Sequence, residues 1–240
     1  MKKRISKALA AAGVASRRAC EQLIFEGRVQ LNGETVLEPF TLVDLEKDRL
    51  TVDGKVIHRE EKKVYYLLNK PAGYVCTTLR TSPKRKLVLD ILAHLPYRLF
   101  TIGRLDKETT GLLLLTNDGH FANRVIHPSA NVQKEYVAKT FQEISPEHLK
   151  KISKGGWVEG AFVKPHSVKK VRRGTLKIVV GEGKKREIRH LLENAGLKVE
   201  QLCRIRIGHL TLGGLPEGAF RELSQEEIEV LQGTRKRAVS

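Results

Sequence analysis

The 240-residue sequence has few of the residues that build metal centres, disulfide frameworks or membrane spans. Its three cysteines, Cys20, Cys76 and Cys203, are far apart and form no C-x-x-C pair, so neither a disulfide framework nor a zinc knuckle is predicted. The histidines form no H-x-x-x-H pair, which argues against metal chemistry. No segment approaches the roughly 20 apolar residues of a spanning helix, and the leucine run 112–115 is far shorter.

Acidic residues are also scarce. The chain carries 27 Asp and Glu against 44 Lys and Arg, a formal net charge of +17 at pH 7. Such an excess favours polyanionic partners through phosphate neutralisation and counterion release, with a membrane surface as the rival partner. The basic stretch 1–13 has too short an apolar part for a signal peptide, so we expect a reducing, cytoplasmic location.

The N-terminal block predicts two short helices followed by a hairpin. Gly13 is a natural stop for the first helix, Ser16 can cap the second, and Gly27 ends it. The dipeptide Asn32-Gly33 is a strong hairpin signal. The predicted apolar stripes are Ile5, Leu9 and Ala12 in the first helix, and Ala19, Leu23 and Ile24 in the second.

Cations surround these helices, and a solvated basic face is the simplest interpretation. However, Arg17 and Arg18 open the second helix, where cations oppose the helix dipole. A phosphate bound at the start of this helix would interact favourably with the two arginines and with the positive end of the helix dipole. The position of the arginines therefore favours nucleic acid as the partner. The candidate RNA contacts of this block are Lys7, Arg17, Arg18 and Arg28.

The pattern K-x-L-A-x-x-G-x-x-S-R-R followed by G-R-V-x-x-N-G resembles the S4-type RNA-binding domain. The resemblance implies that residues 1–60 form a small domain that binds structured RNA through its basic helical face. The charge run 58–63 is the expected linker.

The remainder predicts a larger α+β domain, residues 61–232, on a mixed, mostly antiparallel sheet with flanking helices. A helix with Phe121, Val125 and Ile126 inward and a second amphipathic helix ending at Gly196 are expected beside the sheet. The basic tail 233–240 has no pattern, and we expect it to be disordered. Strand signals occur at 64–70, 99–103, 112–116, 135–141 and 175–180.

One acid stands out in the stretch GRLDKETTGLLLLTNDG, residues 103–119. Asp106 follows one buried strand and precedes another, in a loop flanked by Gly103 and Gly111, where a scaffold can hold a reactive group firmly. The alternative is an Asx-turn aspartate that caps the amides of Glu108 or Thr109.

Other segments favour the reactive interpretation. KEY places Tyr136 at a strand start, EGKKREIRHLL is a basic turn that enters a helix, and NKPAG closes a strand with a rigid turn. Taken alone, Tyr136 could be an ordinary sheet aromatic and Arg189 a solvated helix charge.

Together these segments resemble the pseudouridine synthases, in the family's order, and the S4-type block indicates the RsuA branch. The resemblance implies that Asp106 is the catalytic carboxylate, that Tyr136 stacks on the target base and helps to remove a proton, and that Arg189 pairs with the aspartate. It also implies contacts to RNA from a basic set: Arg104, Lys184, Lys185 and Arg186.

The implied reaction is isomerisation of a specific uridine in ribosomal RNA, free or in a pre-ribosomal particle. The expected substrate is 23S RNA, and 16S RNA is the alternative. Asp106 would attack C1′ or abstract the C2′ proton, and the sequence leaves both routes open. Since no redox or phosphoryl step occurs, we expect no cofactor and no metal. Nothing in the sequence argues for an oligomer, so a monomer is the default expectation.

Three alternatives compete with this interpretation. A glycosidase needs a second carboxylate tied to Asp106, and none is apparent. A nucleotide hydrolase is suggested superficially by GEGKK, but the phosphate-binding motif G-x-x-x-x-G-K-[ST] is absent. A non-catalytic RNA-binding ribosome-assembly factor is the serious rival, and Asp106→Asn distinguishes it from an enzyme.

Overall fold

The structure, a computed structural model, describes residues 2–57, 60–181 and 183–233. This part of the chain forms two compact units. The first comprises the residues up to 64 together with 96–98 and 117–119, and the second comprises the others. The predicted linker lies partly, and the predicted tail almost wholly, outside the described residues. The domain boundary at residue 60 stays a prediction.

The first unit contains two helices and two small antiparallel sheets. One sheet has the order β3-β2-β5-β6, and the other pairs β1 with β4. The elements are β1 (Lys3–Arg4), α1 (Ile5–Ala11), α2 (Arg17–Phe25), β2 (Val29–Leu31), β3 (Glu34–Thr35), β4 (Leu42–Val43), β5 (Leu50–Val52) and β6 (Lys55–Ile57).

Local sequence signals explain this unit. The Ser16 hydroxyl accepts a hydrogen bond from the Ala19 amide at 3.1 Å, which confirms the predicted cap. Asn32 and Gly33 both have positive φ, as the predicted two-residue turn between β2 and β3 requires. The prediction for Ala19 is wrong: it is exposed, and Cys20 is buried instead. Cys20 lies four residues before Ile24, so these two side chains share the inner face of α2.

The second unit is built on one mixed sheet of nine strands. Its main order is β13-β14-β10-β15-β9-β7-β17, with β8 paired to β9 and β16 to β15. The strands are β7 (Tyr65–Lys70), β8 (Phe100–Ile102), β9 (Thr109–Thr116), β10 (Lys134–Thr140), β13 (Ser167–Arg172), β14 (Thr175–Val180), β15 (Val199–Ile207), β16 (Leu210–Thr211) and β17 (Phe220–Glu222). Only the β9–β15 pair is parallel among the described strand pairs of this sheet.

A separate hairpin, four α-helices and two short 3-10 helices, Val88–Leu92 and Pro128–Ala130, also belong to this unit. The hairpin pairs β11 (Gly156–Val158) with β12 (Ala161–Val163). The helices are α3 (Gly119–Ile126), α4 (Pro146–Lys154), α5 (Glu187–Asn194) and α6 (Gln225–Gln232). The predicted α+β class and mostly antiparallel sheet are therefore confirmed.

The leucines of β9 form the centre of the sheet and are fully buried. Phe121 and Val125 of α3 pack on this core, as predicted. The prediction for Ile126 is wrong, because it is exposed and Ala122 is buried in its place. Ile126 is the last residue of α3 and lies about 140° around the helix from Phe121, beyond the packed face.

Candidate active site

Asp106 lies half-buried in the loop between β8 and β9 and lines a cleft of about 1140 Å³ in the second unit. The Thr109 amide donates to the backbone carbonyl of Asp106 at 3.1 Å, which closes the turn. Within the described part of the chain, the Asp106 carboxylate accepts no hydrogen bond and makes no ion pair, so the alternative of an Asx-turn aspartate is wrong. The carboxylate is therefore open to the cleft.

Lys70 holds this loop through hydrogen bonds to its backbone carbonyls. It is the last residue of β7, its side chain is 0% exposed, and its ammonium donates to the carbonyls of Pro71 (2.9 Å), Lys107 (3.1 Å) and Thr109 (2.8 Å). These three bonds use every donor of the ammonium. Burial lowers the pKa of Lys70, and the negative groups around it, Asp106 among them, oppose that shift. The backbone on both sides of Glu108 is thereby fixed.

Gly111 fixes the other end of the loop. Its φ is +101°, and a Cβ placed there would lie 2.2 Å from the Arg204 carbonyl oxygen of β15. The parallel pairing of Arg204 with Gly111 brings the two backbones into this contact. Gly103 also has positive φ, but the space around it is open. Glycine is therefore favoured at position 103 by positive φ alone, and at position 111 by positive φ together with the close approach of the Arg204 backbone.

Tyr136 lines the same cleft from β10 and is almost completely buried. An irregularity in the β10–β15 register falls between Glu135 and Tyr136, and such bulges change the direction of a side chain. Burial raises the pKa of the phenol, while Arg204 opposes the rise. Tyr136 is therefore a neutral phenol at neutral pH.

Arg204 is a buried arginine that the sequence analysis missed. It is 3% exposed and lines the cleft, where its Nε donates to the Leu112 carbonyl at 2.8 Å and its Nη1 makes a long hydrogen bond of 3.5 Å to the Tyr136 hydroxyl. Its Nη2 is buried without a partner among the described residues. The signal was present: in the period-2 pattern of β15, Arg204 falls on the same face as the buried Leu202.

Arg189 lies in the first turn of α5 and is buried, but it does not form the predicted ion pair. No nitrogen of Arg189 lies within 4.0 Å of the Asp106 carboxylate in the described structure. Its Nε also lacks a hydrogen-bond partner there. Burial lowers the pKa of Arg189, Arg186 adds to the shift, and Asp106 opposes it, so the aspartate is near enough to act through space. Arg204, rather than Arg189, is the buried arginine that lines the cleft.

Cations dominate the rim of the cleft. Arg104 and Lys185 are exposed, and Lys184 is half-buried. Arg186 adopts the left-handed conformation (φ +54°) at the N-cap of α5, and its side chain lies 4.0 Å from Glu193. The Lys and Arg residues that line the cleft are Arg104, Lys107, Lys134, Lys164, Lys184, Lys185, Arg186 and Arg204, against the acids Asp106 and Glu187. This surface suits a polyanion.

The predicted basic residues of the first unit differ in availability. Lys7 and Arg18 are exposed and make no ion pair with the described residues, whereas Arg17 pairs with Glu21 at 3.1 Å. Arg28 donates to both carboxylate oxygens of Asp53, at 2.8 and 2.6 Å, and these bonds raise its pKa. The charge of Arg28 is therefore compensated within the unit.

The three cysteines are free. Within residues 2–57, 60–181 and 183–233, no group of three or more His, Cys, Asp or Glu side chains is arranged to hold a metal ion. The helices in the same ranges are all too short or too polar to cross a membrane.

The chain belongs to the RNA pseudouridylate synthase family. The model of that family matches residues 64–194, which include Asp106, Tyr136 and Arg189, and the S4 domain model matches residues 3–50. The resemblance inferred from the motifs is thereby confirmed, and the protein is a pseudouridine synthase that carries an S4 domain.

Two relatives and one solved structure are similar to the chain over most of its length. It is 40% identical to ribosomal large subunit pseudouridine synthase B of Bacillus subtilis over 95% of each chain. It is 43% identical, over 95% of its own length, to the putative ribosomal large subunit pseudouridine synthase SVR1 of Arabidopsis thaliana chloroplasts, of which it spans 60%. A crystal structure of a pseudouridylate synthase superimposes with a TM-score of 0.68 at 28% identity and covers 95% of this chain and 99% of the other.

Proposed function

We propose that this protein converts a specific uridine of ribosomal RNA, in 23S rather than 16S RNA, to pseudouridine, with Asp106 as the catalytic carboxylate. The observation that carries the proposal is the Asp106 carboxylate itself. It has no hydrogen-bond partner among the described residues, on a loop whose backbone Lys70 fixes, in a cleft rimmed by cations. Two relatives named for the large ribosomal subunit favour 23S RNA.

The reaction needs the target base outside its stack. Extrusion costs a few kcal/mol, and stacking on an aromatic ring returns roughly 1–3 kcal/mol. Tyr136 offers such a ring in the same cleft as Asp106. Since its pKa is raised, the phenol can help with proton removal only as a neutral hydrogen-bonding group and not as a preformed phenolate.

The chemistry is an isomerisation. The N1–C1′ bond breaks, the base turns, C5 joins C1′, and the proton lost from C5 is balanced by one gained at N1. Asp106 acts as nucleophile at C1′ or as base at C2′. Neither route transfers electrons to an acceptor or moves a phosphoryl group, so no cofactor is proposed.

The remaining predicted residues have supporting roles in this proposal. Arg189 stabilises the Asp106 carboxylate through space, and Arg204 positions Tyr136 and strand β9. Arg104, Lys184, Lys185 and Arg186 bind the RNA near the target, and Lys7, Arg17 and Arg18 of the S4 domain bind elsewhere on it. We expect a cytoplasmic monomer that acts on free RNA or on an assembling particle.

The test is tritium release from 23S and 16S rRNA labelled at uridine C5, with the natural protein, Asp106→Asn and Glu108→Gln. Glu108 is an exposed acid of the same loop and therefore the matched control. We expect release from 23S RNA by the natural protein and by Glu108→Gln, and none by Asp106→Asn. Sequencing of the product then identifies the uridine.

Three results would redirect the proposal. Release from 16S RNA alone would reassign the substrate. Full activity of Asp106→Asn would remove Asp106 from the mechanism, and silence of all three proteins with intact RNA binding would favour the ribosome-assembly factor.

A further inference from the structure

The hairpin β11–β12 presents two exposed aromatic side chains that no other described feature explains. Trp157, the only tryptophan of the chain, is 70% exposed, and Phe162 is 51% exposed. They are cross-strand partners, with ring centroids 6.0 Å apart and ring planes at 74°. Val158 and Val163 cover the opposite, buried face of the hairpin. The aromatic pair is thus a surface feature and not part of the core.

The hairpin packs beside the candidate active site. Gly156 packs on α5, where a Cβ would lie 3.2 Å from the Asn194 side chain, and α5 carries Arg189. Gly155 lies under Phe162, where a Cβ would meet the ring at 3.1 Å. The hairpin therefore packs directly against α5.

The aromatic pair is continuous with the cleft that Asp106 lines. Phe162 and the exposed Lys164 both line this cleft. At the hairpin turn, Glu159 lies 3.9 Å from Lys185 of the basic turn. Apolar rings with cations alongside match the bases and phosphates of a single strand, because bases stack on aromatic rings while phosphates pair with the cations.

We propose that Trp157 and Phe162 form a stacking platform for an unpaired RNA base that flanks the target uridine. The inference rests on the proposed RNA substrate and adds a specificity element to it: the target would have to lie in a loop or an opened helix with at least one unstacked neighbour. A purely helical neighbour has its bases stacked on each other and cannot use the platform.

The single tryptophan provides a direct test that does not require turnover. The emission of Trp157 is measured in full-length Asp106→Asn protein titrated with single-stranded U10, and with a blunt RNA duplex carrying the same number of phosphates. We expect saturable quenching by U10 and much weaker quenching by the duplex. Equal quenching by both, or none while U10 binding is retained, would overturn the proposal.

Affinity for U10 gives the second measurement, with a matched control. Phe141 is a comparably exposed aromatic residue, 64% exposed, that does not belong to the described lining of the cleft, and Lys198 lies over its ring. Trp157→Ala and Phe162→Ala should each weaken binding on the order of 10-fold, equivalent to about 1.4 kcal/mol. Trp157→Phe should recover most of the loss, and Phe141→Ala should change little.

An equal effect of Phe141→Ala would show that general surface hydrophobicity, and not the platform, accounts for the loss. Because binding is measured on an inactive variant, quenching without tritium release from the natural protein would reject the proposed enzyme and keep the platform. Tritium release by the natural protein without quenching of the Asp106→Asn variant would reject the platform and leave the proposed enzyme in place.

Discussion

At the scale of single residues, the site depends on two buried arginines with different contacts. Arg204 donates hydrogen bonds to Leu112 and Tyr136 and leaves only its Nη2 without a partner, whereas Arg189 donates no hydrogen bond to the described residues. An arginine with partners contributes to stability, while one without them costs desolvation energy and is retained for another reason. The two residues should therefore respond differently to mutation.

Arg189→Ala should cripple turnover without unfolding the protein. The variant loses a cation that acts on Asp106 through space, and we expect kcat to fall at least about 100-fold, comparable to the loss of other electrostatic groups in active sites. Its melting temperature should stay near that of the natural protein, because the Nε has no hydrogen bond to lose. Single-turnover kinetics and thermal melts would measure both, and full turnover would remove Arg189 from the mechanism.

Arg204 should act through Tyr136. In a double-mutant cycle of Arg204→Lys with Tyr136→Phe, we expect the losses in kcat/KM to be less than additive, with a coupling energy of about 1 kcal/mol. The control cycle pairs Tyr136→Phe with Arg206→Lys, because Arg206 lies on the same strand but bonds Glu135 at 2.7 Å. Additive losses in the first cycle would contradict a positioning role for Arg204.

At the scale of elements, the β8–β9 loop is a short connection fixed at its middle and at its exit. Lys70 from β7 fixes its middle, and the parallel pairing of β9 with β15 fixes its exit at Gly111. A loop held in this way can present a carboxylate without using side-chain hydrogen bonds to hold it.

The two flanking glycines provide a matched stability test. Gly103→Ala meets only the strain of positive φ and should cost about 1–2 kcal/mol of unfolding free energy. Gly111→Ala meets the same strain and also the backbone of Arg204, so we expect roughly 3–5 kcal/mol. Denaturant unfolding measures both, and equal losses would show that the β9–β15 contact is not tight.

At the scale of the whole molecule, the net charge of +17 is the dominant property. Its contribution to RNA binding depends on which cations remain uncompensated by nearby acids. Exposed Arg18 has no ion-pair partner in the described chain, while Arg28 bonds Asp53. These two arginines belong to one domain, but only the charge of Arg28 is compensated by a neighbouring acid.

Salt dependence of RNA binding should separate these arginines. Arg18→Ala should reduce the slope of log K against log salt by about 0.7–0.9, the value for one released counterion. Arg28→Ala should leave the slope nearly unchanged, because Asp53 already neutralises it. Filter binding of labelled rRNA over a salt series gives both slopes, and a larger effect of Arg28→Ala would place Arg28 at the RNA.

The sequence by itself determined the elements and the loop that carries the candidate site. Caps such as Ser16, the turn at Asn32-Gly33 and the leucines of β9 are local or periodic signals, and each produced its predicted structure. The errors at Ala19 and Ile126 came at helix edges, where a shift of one residue turns a side chain by about 100°.

Only the tertiary structure decided which side chains meet across the sheet. Arg204 is about 100 residues from Asp106 in the chain, yet its strand lies between β9 and β10 and so brings it to Gly111 and Tyr136. The support of the loop by Lys70 and the missing ion pair of Arg189 also depend on strand register and burial. No periodicity within one segment encodes these relations, because register between distant strands is set by the packing of the whole core.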